Sequence, residues 1–188
     1  MNGIVVVNKP EGLSSARTVS RVKRLLQVRK AGHTGTLDPF ARGVLVCCLN
    51  QATRLAGFLL ASPKTYKGVL TLGVETDTQD ATGRIIAARD ATAVSEEDLR
   101  RVFQRYEGAY HQTPPVYSAL KHEGVPLYAL VRRGREVQKP ARSVFIYRIQ
   151  VLAVERPRVR FEVRCSAGTY IRTLCADIGR DVGCGGHL

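Results

Sequence analysis

The stretch Gly32-His33-Thr34-Gly35-Thr36-Leu37-Asp38-Pro39 places a carboxylate on what reads as a rigid loop. Two glycines let the main chain bend sharply, and Pro39 restricts the backbone beside the acid. Among Lys30, His33 and Arg42, Asp38 would be kept ionised, as a nucleophile must be. An Asp before Pro is also an ordinary turn former whose side chain caps nearby amides. In Lys64-Thr65-Tyr66, a tyrosine opening a strand beside Lys64 and Lys67 could stack on an exposed base while lysines hold phosphate. It could equally be an aromatic at a strand edge. In Gly168-Thr169-Tyr170-Ile171-Arg172, the arginine stands in the first turn of a helix. A cation there opposes the macrodipole, which points to a carboxylate partner; a solvated arginine is the simpler account.

The segment Gln112–Arg135 interleaves Tyr117, Lys121, Tyr128, Arg132 and Arg133 after Pro114-Pro115. Splayed RNA bases stack on aromatics and phosphates attract cations, so this loop suits RNA. The signatures of nucleotide hydrolysis, dinucleotide redox and serine hydrolysis (the P-loop, GxGxxG and GxSxG) do not occur. The five cysteines form no CxxC pair and the four histidines no HxxxH, so reduced, mostly buried thiols are expected and no metal.

The elements that must position these groups follow from periodicity. Ile4 to Val7 reads as a buried strand ended by the Lys9–Gly12 turn. Ser14 or Ser15 caps a helix with Val19, Val22, Leu25 and Leu26 inward, and Arg17, Arg21 and Arg24 on another side. Lys30 to Gly43 reads as loop, Val44 to Leu49 as a second buried strand, and a short helix starts at Ala52. Tyr66 to Val74 alternates as a half-buried strand, and Arg84 to Ala88 returns beside it after the TDTQDATG turn. Ser95 with Asp98 resembles a capping box for a helix burying Leu99, Val102, Phe103 and Tyr106. Residues 109–126 read as a long loop, followed by a short basic helix from Leu127 to Arg133. Two strands, Val144 to Val154 and Val159 to Cys165, precede a helix capped by Thr169 that buries Ile171, Leu174, Cys175 and Ile178. Without regular βαβ alternation, the expected class is α+β, a mixed, mainly antiparallel sheet flanked by helices.

The 188 residues, 44% hydrophobic, suffice for one globular domain. The net charge of +13 is an argument about partners, and its spread is uneven. Residues 1–60 carry nine Lys and Arg against Glu11 and Asp38, and residues 121–172 carry twelve against four acids. Two basic segments suggest one positive face and a nucleic-acid partner. Apolar runs fall far short of the roughly 18 residues of a membrane span, and the N-terminus lacks the marks of a signal peptide. The expected location is the cytoplasm.

Taken together, the four places resemble the TruB family of tRNA pseudouridine synthases, which act on uridine 55 of the T loop. The matching stretches are NKPEGLSS at 8–15, GHTGTLDPFARGVL at 32–45, KTYKGVLTLGVETDTQDATG at 64–83, QTPPVYSALKHEGVPLY at 112–128 and CSAGTYIRTLCADIG at 165–179. The resemblance implies a pseudouridine synthase catalytic domain over 1–188, with an RNA-binding loop insertion at 109–142. It implies that Asp38 is the catalytic aspartate, Tyr66 the tyrosine that stacks on the uracil, Arg172 the arginine pairing with the aspartate, and His33 the histidine beside the flipped nucleotide. RNA contacts are expected at Lys9, Lys64, Tyr117, Lys121, Tyr128 and Arg132. The N1 glycosidic bond breaks, the uracil turns, and C5 takes its place, with attack at C1′ or C6 left open. No cofactor or metal is implied; the partner is the T-arm of tRNA and the enzyme a monomer. Relatives usually begin DKP where this chain has Asn8-Lys9-Pro10, and continue beyond His187-Leu188 to a small RNA-binding domain, expected to be absent here. An RNA-guided subunit modifying ribosomal RNA, or an RNA chaperone with secondary catalysis, are the alternatives.

Overall fold

A computed structural model describes residues 1–135, 137 and 139–188, which gather into two compact units, Met1–Ser62 and Pro63–Leu188. In the first, β1 (Gly3–Lys9), β2 (Ala31–His33) and β3 (Gly43–Leu49) form an antiparallel sheet with β3 central. Helix α1 (Ser15–Leu25) covers one face, with Val19 and Val22 packed on Leu45, Cys47 and Leu49. A 3-10 turn, Asn50–Leu55, leads into α2 (Ala56–Ala61).

The structure corrects three expectations here. Strand β1 is half-buried rather than buried on both faces, because only one face meets a helix; Ile4 and Val6 are exposed. The stretch read as loop contains β2, three residues at the sheet edge. Leu25 is 77% exposed. It is the last residue of the helix, beyond the turns that Thr18, Val19 and Val22 bury. Ser14 is the helix cap, its side chain accepting from the Arg17 amide.

The second unit opens with β4 (Lys64–Leu72), which alternates as read, and Gly73, at φ +85°, separates it from β5 (Val74–Thr76). Strand β6 (Ile85–Ala88) pairs with β5 rather than β4, as a small ribbon. Helix α3 (Glu96–Arg105) starts at Ser95, which accepts from the Asp98 amide. Next come β7 (Gly108–Gln112), β8 (Lys121–His122), β9 (Val125–Pro126) and α4 (Leu127–Val131). Long strands β10 (Arg142–Glu155) and β11 (Arg158–Cys165) precede α5 (Ile171–Asp181) and β12 (Gly186–His187). The main sheet runs β12-β4-β11-β10-β7, every neighbouring pair antiparallel.

Helices α3 and α5 supply Leu99, Phe103, Leu174, Cys175 and Ile178 to a core with Leu70, Ile146, Phe161 and Val163 from the sheet. The expected α+β class, mainly antiparallel with flanking helices, is the one observed. Two local readings change. The loop expected from 109 begins inside β7, whose residues Gly108–Gln112 pair with Arg142–Ile146. Thr169 does not cap α5: the cap residue is Tyr170, and the Thr169 hydroxyl donates to Ser166 O at 2.9 Å. All five cysteines are buried and free, and burial pushes the Cys47, Cys48, Cys165, Cys175 and Cys184 thiols up.

Candidate active site and RNA-contact residues

In the first unit, the Asp38 loop is fixed on both sides of the acid. The buried Ser15 hydroxyl, at the start of α1, accepts from the Leu37 amide at 2.9 Å and donates to Leu37 O at 3.1 Å. On the far side, Gly12 N donates to Pro39 O at 2.8 Å. Asp38 itself is partly buried, and its main-chain oxygen accepts from Ala41 N at 3.1 Å, closing a turn. The turn-forming and chemical readings of this Asp-Pro pair are thus compatible.

Lys9 lies beneath the same loop. It has no exposed surface, and its ammonium donates to the carbonyls of Pro10, Leu13 and Pro39 at 2.8, 2.7 and 3.3 Å. An ammonium has three protons, and here each has a carbonyl. This corrects the expectation that Lys9 contacts RNA: it ties the Lys9–Gly12 turn to the Asp38 loop. Burial holds its pKa below the usual lysine value, against the opposing pull of Asp38 and Glu11. His33 ends β2, partly buried, and its Nδ1 is shielded from solvent without a hydrogen-bond partner among the described residues.

In the second unit, Arg172 is 5% exposed, so the solvated reading fails. Nη1 donates to Thr78 O at 2.9 Å and lies 3.4 Å from Asp80 Oδ2, while Nη2 donates to Tyr117 O at 2.9 Å. The guanidinium therefore joins the TDTQDATG turn to the loop at Tyr117. Asp80, 4% exposed, organises that turn, its Oδ1 accepting from Thr78 Oγ1 at 2.8 Å and from Thr82 N at 2.9 Å. The neighbouring Thr173 hydroxyl donates to Gln79 Oε1 at 2.8 Å. The start of α5 is fixed in turn by buried Gln112, which donates to Tyr170 O at 2.9 Å and accepts from Tyr170 N at 2.7 Å.

Tyr66 sits on the core-facing side of β4, opposite Val163, partly buried against the core. Lys64 is partly buried at the strand's start. Tyr117 is partly buried, and Tyr128 is 42% exposed with the Arg132 guanidinium 5.6 Å from its ring centroid. The main chain of Lys121 lies in β8, but its side chain falls outside the described residues. Sequence reasoning missed Lys9 as a clamp, Ser15, Asp80 and Gln112. The signal available was that each lies inside a motif already singled out. Among the described residues, no group of three or more His, Cys, Asp or Glu could hold a metal ion, and no helix is long and apolar enough to cross a membrane.

The family model described as TruB family pseudouridylate synthase (N terminal domain) matches residues 23–171. The chain is 50% identical over 188 residues to "tRNA pseudouridine synthase B" of Syntrophotalea carbinolica, spanning all of this chain and 61% of that protein. A protein of the same name from Bordetella avium is 49% identical over 190 residues, spanning 100% of this chain and 78% of the relative. Among solved structures, a chain of a Cbf5-Nop10-Gar1 complex superimposes with a TM-score of 0.75 at 34% identity, over 98% of this chain and 46% of that one. A chain of an H/ACA RNP bound to a substrate RNA containing 2′-deoxyuridine gives 0.71 at 31% identity, over 98% and 44%.

Proposed function

We propose that this chain, which belongs to the TruB family of pseudouridylate synthases, isomerises uridine 55 in the T loop of tRNA to pseudouridine. Asp38 is the catalytic carboxylate of this reading, acting on a uridine flipped out of its stack. Tyr66 stacks on the uracil, Arg172 supports the aspartate, and His33 stands beside the extruded nucleotide. The shielded, unpartnered Nδ1 of His33 is a hydrogen-bonding position that a nucleotide could fill. Lys64, Tyr117, Lys121, Tyr128 and Arg132 are assigned to RNA. One glycosidic bond breaks and one carbon–carbon bond forms, with no net redox change, and the reading assigns the reaction no cofactor or metal. The enzyme is read as a cytoplasmic monomer.

The observation that carries the reading is Asp38 on a loop pinned at Leu37 and Pro39, inside the stretch the family model matches. Incubation of the purified chain with an unmodified tRNA transcript and no guide RNA should give pseudouridine at position 55. Asp38→Asn should abolish that product while tRNA affinity changes by less than about tenfold, or about 1.4 kcal/mol. Turnover of the variant within tenfold of the parent would remove Asp38 from its role. A second reading, guide-dependent modification, is favoured by the likeness to a chain of an H/ACA RNP. Product appearing only when a guide is added would establish it.

A further inference from the structure

We infer that the outward face of α1, in the unit that carries the Asp38 loop, is a binding track for the sugar-phosphate backbone of RNA. The inference rests on the RNA-modifying reading above and adds to it a surface that the site residues do not include. Residues 12–30 hold Arg17, Arg21, Lys23, Arg24, Arg29 and Lys30 and no acid. At roughly 100° per residue, Arg17, Arg21 and Arg24 fall within an arc of about 60° opposite Val19. All three are exposed, and among the described residues none has a carboxylate within ion-pair distance. Helix α3 manages its arginines differently, with Arg100 on Glu96 and Arg101 on Glu97 and Asp98.

Like charges at these spacings destabilise a helix, and a cation in its first turn opposes the dipole. An external polyanion would reverse both effects. The arginines line a surface groove of about 320 Å³ with Leu13 and Ser20. Arg24 stands about 10 Å beyond Arg17 along the axis at 1.5 Å per residue, so a backbone lying along this face would meet three guanidinium groups in succession.

The test compares the parent with R17Q/R21Q/R24Q and with R100Q/R101Q, measuring affinity for an unmodified tRNA transcript against salt. Thermal melting should show the triple variant no less stable than the parent. Its log–log slope should be shallower by about 2, three contacts at roughly 0.7 each, with affinity reduced at least tenfold at low salt. R100Q/R101Q should keep the parental slope. An unchanged slope in the triple variant, or an equal loss in R100Q/R101Q, would overturn the track, the latter by reducing it to bulk charge. Absence of pseudouridine from the parent would instead sink the proposed function. That is read from product rather than affinity, so the two failures are separable.

Discussion

Arg172 shows what a single side chain contributes by its shape. Its planar fork reaches two main-chain oxygens and one carboxylate from a buried position, which a lysine's point charge cannot reproduce. Arg172→Lys should therefore lower turnover at least a hundredfold with the fold intact, about 2.7 kcal/mol of transition-state stabilisation; near-parental turnover would return Arg172 to a structural role. Removing Asp80 differs in kind, because a buried guanidinium loses a buried carboxylate beside it. Asp80→Ala should cost about 3–5 kcal/mol of stability, since the hydroxyls of Thr78 and Thr82 lose their acceptor as well. Urea unfolding would measure it, and a loss under about 1 kcal/mol would mean that the turn stands without the pair.

Lys9 gives a pH signature. Its native pKa lies below 10.5, with burial the main cause. Below the native value both states hold the proton, and burying the charge costs stability. Between that value and 10.5 the native lysine has lost a proton that the unfolded chain keeps, so stability rises with pH. The parent should accordingly gain on Lys9→Met as pH climbs from neutral toward 10.5. A difference in urea midpoints that stays flat with pH would show that the lysine carries no such penalty. Tyrosine and cysteine ionisation is common to both proteins and cancels.

At the scale of elements, Gly179 sets two preferences against each other. It lies inside α5, where alanine is favoured by about 1 kcal/mol. A Cβ there would come within 2.4 Å of Gly186 N, the main chain of β12. A backbone contact that short must be relieved by moving the strand, so Gly179→Ala should destabilise despite the propensity. A lower urea midpoint with an unchanged m-value is the expected result, and a raised midpoint would contradict the close approach. Such contacts are invisible in a linear sequence, and the same limit explains which elements were legible. The alternation of β4 and the stripe of α3 state their environments locally, and both were read correctly. Gly108–Gln112 looks like loop because its strand character comes from pairing with Arg142–Ile146, far along the chain. Tyr170 rather than Thr169 is the α5 cap residue, its amide and carbonyl held by buried Gln112 from far along the chain, while the Thr169 hydroxyl turns back to Ser166. The Asp38 loop was legible as a rigid turn, whereas the lysine beneath it looked like an RNA contact because sequence shows a charge and not its burial.

At the scale of the molecule, the net charge of +13 divides unequally. Met1–Ser62 holds nine Lys and Arg against two acids, a surplus of +7; the other 126 residues hold twenty against fourteen, a surplus of +6. Charge per residue is thus about twice as dense in the unit that carries Asp38. Much of the second unit's charge is paired on its own surface, as Arg100 with Glu96 and Arg180 with Asp177 illustrate. Binding of tRNA should draw on the unpaired surplus, releasing counter-ions from the phosphates it neutralises. If about five phosphates are met, log affinity should fall against log salt with a slope of roughly −3.5, using the single-strand value per contact. Over a fourfold rise in salt that is roughly a hundredfold in affinity. A titration of an unmodified tRNA transcript across that range measures it directly. A slope near zero would show that the excess charge faces solvent alone, and the nucleic-acid reading of the composition would fall with it.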